Sequence, residues 1–184
     1  MELREKTIGF ALTGSFCTYK KVIPEIQKLK DTGAEIIPIM SETSASTDTR
    51  FGKAQDFINE IEEITKNKVI ATIKDAEPIG PKKLLDILIV APCTGNTISK
   101  IANGIADTSV TLAVKAHLRN LRPVVIAVST NDGLSGNAKN IGVLINKKFI
   151  YLVPFGQDDF ENKENSLVAK MEYILLQYSC LPNY

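Results

Sequence analysis

The run Ile87-Leu88-Ile89-Val90 has no polar position. A strand with one face in water alternates apolar and polar residues, whereas a strand apolar at every position needs cover on both faces. Such a run therefore asks for an interior strand of a parallel sheet between two helical layers. It ends abruptly in Ala91-Pro92-Cys93-Thr94-Gly95-Asn96-Thr97, where the proline is expected to stop the strand and the hydroxyl and amide side chains follow.

The rest of the chain alternates in the same sense. Strand patterns fall at 7–12, 34–40, 69–73, 86–91, 123–129 and 149–154. Between them, Val22, Ile23, Ile26 and Leu29 share one helical face closed by Gly33, and Phe57, Ile58, Ile61 and Ile64 share another over 55–66. Helical spacing also runs over 97–117 with a break at Gly104, over 135–146, and over 164–178, where Leu167, Val168, Met171, Ile174, Leu175 and Tyr178 form the inner side. The expected fold is a single α/β domain over residues 1–184, a doubly wound, Rossmann-like (flavodoxin-like) parallel sheet with helices on both faces.

Composition narrows the function classes. A net charge of +1 gives no broad footprint for nucleic acid, and no apolar run approaches the length of a bilayer span. The N-terminal Met1-Glu2-Leu3-Arg4-Glu5-Lys6 lacks the apolar core of a signal peptide. Three cysteines, Cys17, Cys93 and Cys180, are an odd number without ligand spacing, and His117 is the single histidine. A multi-histidine metal site is thereby excluded and no metal is expected, and the cysteines suggest a reducing cytoplasm rather than a disulfide framework. Cys17 is expected to be a packed small residue, Cys180 to lie in an exposed tail, and His117 to be a surface or capping residue at a helix C-terminus.

In doubly wound sheets ligands lie beyond the carboxyl ends of the strands. Four of those ends carry small hydroxyl or amide residues: Thr13-Gly14-Ser15, Ser41-Glu42-Thr43-Ser44, Thr94-Gly95-Asn96-Thr97 and Ser129-Thr130-Asn131-Asp132-Gly133. Each alone also reads as a turn or a helix cap, as with Ser15, Ser41 or Thr97. Neither a Walker loop nor a complete dinucleotide fingerprint is present. Taken jointly, neutral donors on one sheet edge suit a phosphate-bearing, partly apolar cofactor better than a hydrolytic centre.

Three stretches, GFALTGSFCTYK (9–20), APCTGNTISKIANGIADTSVT (91–111) and LVPFGQDD (152–159), closely resemble the flavoprotein family that includes the flavin-dependent cysteine decarboxylases. The last of them resembles the branch formed by the B subunits of dipicolinate synthases. The resemblance covers nearly the whole chain. It implies FMN bound near the boundaries between subunits of a trimer-based homo-oligomer. Gly14 and Ser15, with Thr13, match the phosphate-holding turn, and Ser41 the hydroxyl after the second strand. Thr94, Gly95, Asn96 and Thr97 match the flavin-proximal loop, and Ser129 and Asn131 the segment that holds the decarboxylases' asparagine.

Two departures redirect the chemistry. The decarboxylases' histidine before the Ala-Pro strand has no counterpart in 78–84, and Val128-Ser129-Thr130 replaces their residues before the asparagine, so peptidyl-cysteine decarboxylation is not expected. The branch implies oxidation of a dihydrodipicolinate-type precursor to dipicolinate in sporulating bacteria, in the mother-cell cytoplasm, together with an A subunit that carries NAD(P). Asn96, Asn131 and Lys100 are the candidate catalytic residues. Lys100 is the cation for the substrate's carboxylates, ahead of Lys82, Lys83, Lys147, Lys148 and Arg122. Two readings stay open: an FMN-binding redox subunit, or a structural or regulatory subunit whose former phosphate pocket holds an inorganic anion.

Overall fold

The computed structural model describes residues 3–179. Seven strands form one sheet: β1 (Thr7–Leu12), β2 (Glu35–Met40), β3 (Ile87–Cys93), β4 (Val124–Thr130), β5 (Ile150–Leu152), β6 (Phe155–Gly156) and β7 (Leu167–Ala169). The path β2-β1-β3-β4-β7-β6 orders six of them, and β5 also pairs with β4. The pairs β1–β2, β1–β3, β3–β4 and β4–β5 are parallel, while β7 is antiparallel to both β4 and β6. The helices are α1 (Tyr19–Asp31), α2 (Glu42–Ser46), α3 (Ala54–Thr65), α4 (Ile73–Ala76), α5 (Gly95–Ala102), α6 (Ser109–Arg119), α7 (Ala138–Ile145) and α8 (Ile174–Ser179). None among the described residues is long and apolar enough to cross a membrane.

Strand side chains divide between two cores, which is what the uniformly apolar run required. Ile8, Phe10 and Leu12 of β1 join Ile87, Ile89 and Ala91 of β3 beneath α1, α3 and the C-terminal segment. Leu88, Val90 and Cys93 join Val124, Ile126 and Val128 beneath α4 to α7. Residues 87–93 are all buried. The proline does not stop the strand: β3 continues through the cis Ala91–Pro92 bond to Cys93, with its register against β4 shifted between Val90 and Cys93. The shift returns Cys93 to the face of Val90, so its thiol is buried and its pKa is raised.

Several element boundaries differ from the periodicity. Residues 69–73 make only an isolated bridge, Ile39 to Ile70, because Thr72 caps Asp75 and Ile73 already opens α4. The run 97–117 is two helices, separated where Gly104 takes φ +74° and the Thr108–Thr111 capping box starts α6. Residues 131–137 are turns, so α7 begins at Ala138. The strand expected over 149–154 is the shorter β5 and is not the last.

The expected closing helix over 164–178 is the largest correction. Its first half is a loop and β7, followed by a 3-10 turn at Met171–Tyr173, and only α8 is α-helical. Leu167 and Val168 instead complete the ladders left open by Thr130 and Ser129 of β4 and by Gly156 of β6, hydrogen bonds a helix there would forfeit. The side chain of Tyr178 and all of Cys180 lie outside the described residues.

Candidate functional site

Strand order places β1 between β2 and β3, so the chain leaves β1 toward one side and returns on the other. The crevice at this reversal is where a ligand fits beside the carboxyl ends. A cavity of about 480 Å³ lies there, walled by Gly14 to Cys17 after β1, Thr94 to Asn96 after β3, and Ser129 to Asp132 at the end of β4. Thr49 and Phe51 from the segment before α3 and Asp158, Lys163, Ser166 and Val168 from the C-terminal segment complete it.

On the β1–β4 side three hydroxyls form a closed triangle: Ser15 to Ser129 at 2.8 Å, Ser15 to Thr18 at 3.0 Å, and Thr18 to Ser129 at 2.9 Å. Each hydroxyl carries one proton and two lone pairs, so the triangle uses every proton internally. Opening one edge frees a proton for an outside acceptor while the other two edges persist. Ser15 does not act as a helix cap by its side chain, and the Gly14 N–H donates to no protein acceptor among the described residues. A Cβ at Gly14 would meet only Phe16, at 3.6 Å, so the backbone here is open to the cavity. Cys17, expected to be packed, is exposed on this wall, and it is Thr18 that turns inward.

Thr13 is 1 % exposed and spends its hydroxyl on structure. It donates to the Pro92 carbonyl at 2.7 Å and accepts from the Thr94 N–H at 3.0 Å, which ties the β1 and β3 ends together. Thr94 in turn caps α5, accepting from the Thr97 N–H at 3.4 Å and donating to its hydroxyl at 3.1 Å. Thr97 is buried and lies behind the wall. Asn96 and Asn131 are exposed at the cavity, and neither side-chain amide has a hydrogen-bond partner among the described residues.

Next to Ser129, at the end of β4, begins a network that spacing gave no reason to assemble. Asp132 accepts from the Thr130 hydroxyl at 2.5 Å and from Asn137 Nδ2 at 3.0 and 2.8 Å. Asn137 Oδ1 accepts from Ser99 at 2.8 Å and from Asn140 at 2.9 Å. The Thr130 bond, with help from Asn137, holds the Asp132 carboxyl below its usual pKa, so it is ionised near neutrality. Gly95 sits against this network: a Cβ would overlap Thr130 Oγ1 and fall 2.6 Å from Asn137 and 2.7 Å from Asp132. Only glycine lets α5 start this close to the β4 loop.

Ser41 and Lys100 are not brought to the cavity. Ser41 caps α2, bonding the Ser44 hydroxyl at 2.7 Å, and the neighbouring Glu42 accepts from the Ser109 N–H at 3.0 Å, so this strand end clamps α2 to α6. Lys100 pairs with Asp107 at 2.9 Å. Three of the four polar strand ends therefore meet in one crevice. The cation that does line it, Lys163, sits 3.3 Å from Asp158, whose pKa is lowered mainly by the Ser166 hydroxyl and then by Lys163. Sequence reasoning missed Thr18 and Lys163, and it placed Asp132 at a strand end without giving it a role. The alternation Thr18–Tyr19 at a helix start and the tight Thr130-x-Asp132 spacing were the only local signals. Among the described residues no group of three or more His, Cys, Asp or Glu is placed to hold a metal ion.

The flavoprotein family model matches residues 1–174. The B subunit of dipicolinate synthase from Bacillus subtilis is 48 % identical over 172 residues, covering 94 % of this chain and 86 % of that protein. The crystal structure of the Bacillus halodurans dipicolinate synthase B subunit superposes with a TM-score of 0.87 at 45 % identity, covering 96 % of this chain and 90 % of that one. The FMN-dependent cysteine decarboxylase SpaF shares the fold, with a TM-score of 0.71 at 21 % identity and coverage of 96 % and 95 %. A family match of this length, and a relative this similar over most of both chains, carry the assignment: the chain belongs to the flavoprotein family.

Proposed function

We propose that this protein is the FMN-binding subunit of a two-component dipicolinate synthase. It is a single domain over residues 1–184 that assembles as a trimer-based homo-oligomer in the cytoplasm of a sporulating cell. An A subunit supplies NAD(P), and together they oxidise a dihydrodipicolinate-type precursor to dipicolinate. The relatives supply the synthase, and the FMN dependence of SpaF supports the cofactor.

The observation that carries the cofactor reading is the Ser15–Thr18–Ser129 triangle beside the open Gly14 backbone. An anionic oxygen is a better acceptor than a neighbouring hydroxyl, so a phosphate draws one proton out of the triangle and leaves the other two hydroxyls supporting Ser15. The Gly14 N–H adds a second donor, and the Phe51 and Val168 side chains give the remaining cavity an apolar component that suits a ring system. The residues present therefore fit FMN: Gly14, Ser15 and Ser129 at its phosphate, Asn96 and Asn131 at its ring. When bound, FMN supplies a two-electron acceptor. The chain's own part is to hold that ring on the Thr94–Asn96 loop, to exclude water with the C-terminal segment, and to offer amide donors where charge develops.

A second reading, in which the protein has no redox role and its pocket holds an inorganic anion, draws on Lys100. Its ammonium is committed to Asp107, so the motif's own cation is not free to meet a dicarboxylate. Titration of the purified protein with FMN, followed by flavin fluorescence, separates the two. Saturable binding that Ser15→Asp abolishes, with an unchanged circular dichroism spectrum, is the expected result. No uptake of FMN, with inorganic phosphate still bound, overturns the redox reading. Unchanged affinity in Ser15→Asp means the phosphate lies elsewhere.

A further inference from the structure

The Asp132 network has a direction. Its carboxylate has four acceptor positions, of which Thr130 and Asn137 fill two on Oδ1 and Asn137 fills one on Oδ2. Among the described residues one position on Oδ2 has no donor, on a side chain that walls the cavity. Asn137 cannot turn away, because its own oxygen is held by Ser99 and Asn140. The acceptor is thus fixed in place and ionised. Asn131 precedes it in the chain, and Asn96 follows Gly95, whose Cβ position is 2.7 Å from Asp132 Oδ1. Both amides are exposed at the cavity without partners among the described residues. The cavity is therefore lined by one fixed acceptor and by two side chains able to donate.

The pyrimidine edge of a flavin carries the complementary groups, one imide N–H and two carbonyl oxygens. A neutral hydroxyl or amide at position 132 would offer a rotatable or ambiguous group, whereas a carboxylate can only accept. We propose that Asp132 recognises the imide N–H of the bound isoalloxazine, with Asn96 and Asn131 on its two carbonyls. This rests on the FMN reading above and assigns the polar edge of the ring to this wall and the phosphate to the hydroxyl triangle.

The network's polarity supplies the test. In Asp132→Asn the new amide would place an NH2 against the NH2 of Asn137, and a flip of Asn137 to relieve it would turn an NH2 toward the Ser99 hydroxyl and the Asn140 amide that now donate to its oxygen. In the exchange Asp132→Asn/Asn137→Asp the donors and acceptors match again, but the charge has moved from the cavity wall into the network behind it. Dissociation constants of FMN and of N3-methyl-FMN, which lacks the imide N–H, are measured for wild type and the exchange variant. Methylation should weaken binding to wild type by about 10-fold or more beyond its effect on the exchange variant, as for one hydrogen bond to a charged group. Equal binding of the two flavins by wild type overturns the proposal whether or not the variant folds. An equal methylation penalty in both proteins also overturns it, since the clash of the methyl group is then the whole effect. Failure of wild type to bind FMN at all removes the cofactor reading itself, whereas either result above leaves that reading standing.

Discussion

His117 lies on the last turn of α6, 2 % exposed, and its Nε2 has no hydrogen-bond partner among the described residues. The expectation of a surface cap is overturned. Burial, and then the Arg122 charge, push its pKa down to about 4 from 6.5, so the folded state holds it neutral. The unfolded chain protonates it near its ordinary value. Its contribution is therefore fully present above about pH 6.5 and is lost as pH falls toward 4, on the order of 3 kcal/mol in all. Carboxylates held below their usual range, such as Asp132 and Asp158, lose their contributions at lower pH, so the window between 6.5 and 4.5 belongs to this imidazole. Urea midpoints measured at pH 7.5 and 4.5 should differ strongly in wild type and much less in His117→Gln. Equal acid sensitivity in both would assign the loss to other groups. The burial was open to a sequence reader: Val110, Ala113, Val114 and His117 share one helical stripe, and the first three are buried.

Among the elements, α6 is held at its start by another part of the chain. Beside its own capping box, Glu42 accepts from the Ser109 N–H at 3.0 and 3.3 Å, and the Ser109 hydroxyl donates to the Met40 carbonyl at 2.6 Å. A carboxylate at a helix N-terminus both satisfies an orphan donor and meets the positive end of the helix dipole. Glu42→Ala should cost about 1–2 kcal/mol in chemical denaturation, and Glu42→Gln, which keeps an acceptor, a smaller amount. Elements whose faces are long and one-sided, α1 and α3, follow directly from their spacing. Elements decided by what lies beside them do not. Leu167, Val168 and Met171 satisfy helical spacing as well as a strand followed by a turn, and the open ladders of β4 and β6 settle it. Pro92 reads locally as a terminator, yet Thr13 makes a hydrogen bond to its carbonyl from the end of β1, and the strand passes on.

At the scale of the whole molecule, the class of fold follows from one uniformly apolar strand, and the location of the site follows from strand order. The make-up of the site is only partly readable, because it joins residues as distant as Ser15 and Ser129, 114 positions apart. Spacing identified the strand ends that carry hydroxyls and amides. It gave no means of seeing that Ser41 would be spent on capping α2 or that Lys163 would reach the cavity from the C-terminal segment. If FMN binds only the folded protein, saturation to 100 times its dissociation constant should add about 2.7 kcal/mol. For a chain of this length that is a rise in Tm of about 5–10 °C. Thermal scans with and without FMN should show the rise in wild type and none in Ser15→Asp. A rise that persists in the variant would locate the phosphate away from the hydroxyl triangle.

The antiparallel seam between β4 and β7 sets an order of events during synthesis. The parallel strands β1 to β5 are complete once residue 152 has been made, and with them both the hydroxyl triangle and the Asp132 network. Val168, Ser166 and Lys163, which close the cavity, emerge from the ribosome only afterward. A nascent chain can thus carry the hydroxyl triangle beside a half-open cavity before its last wall exists, which on the proposed FMN reading leaves the cofactor a route in ahead of closure.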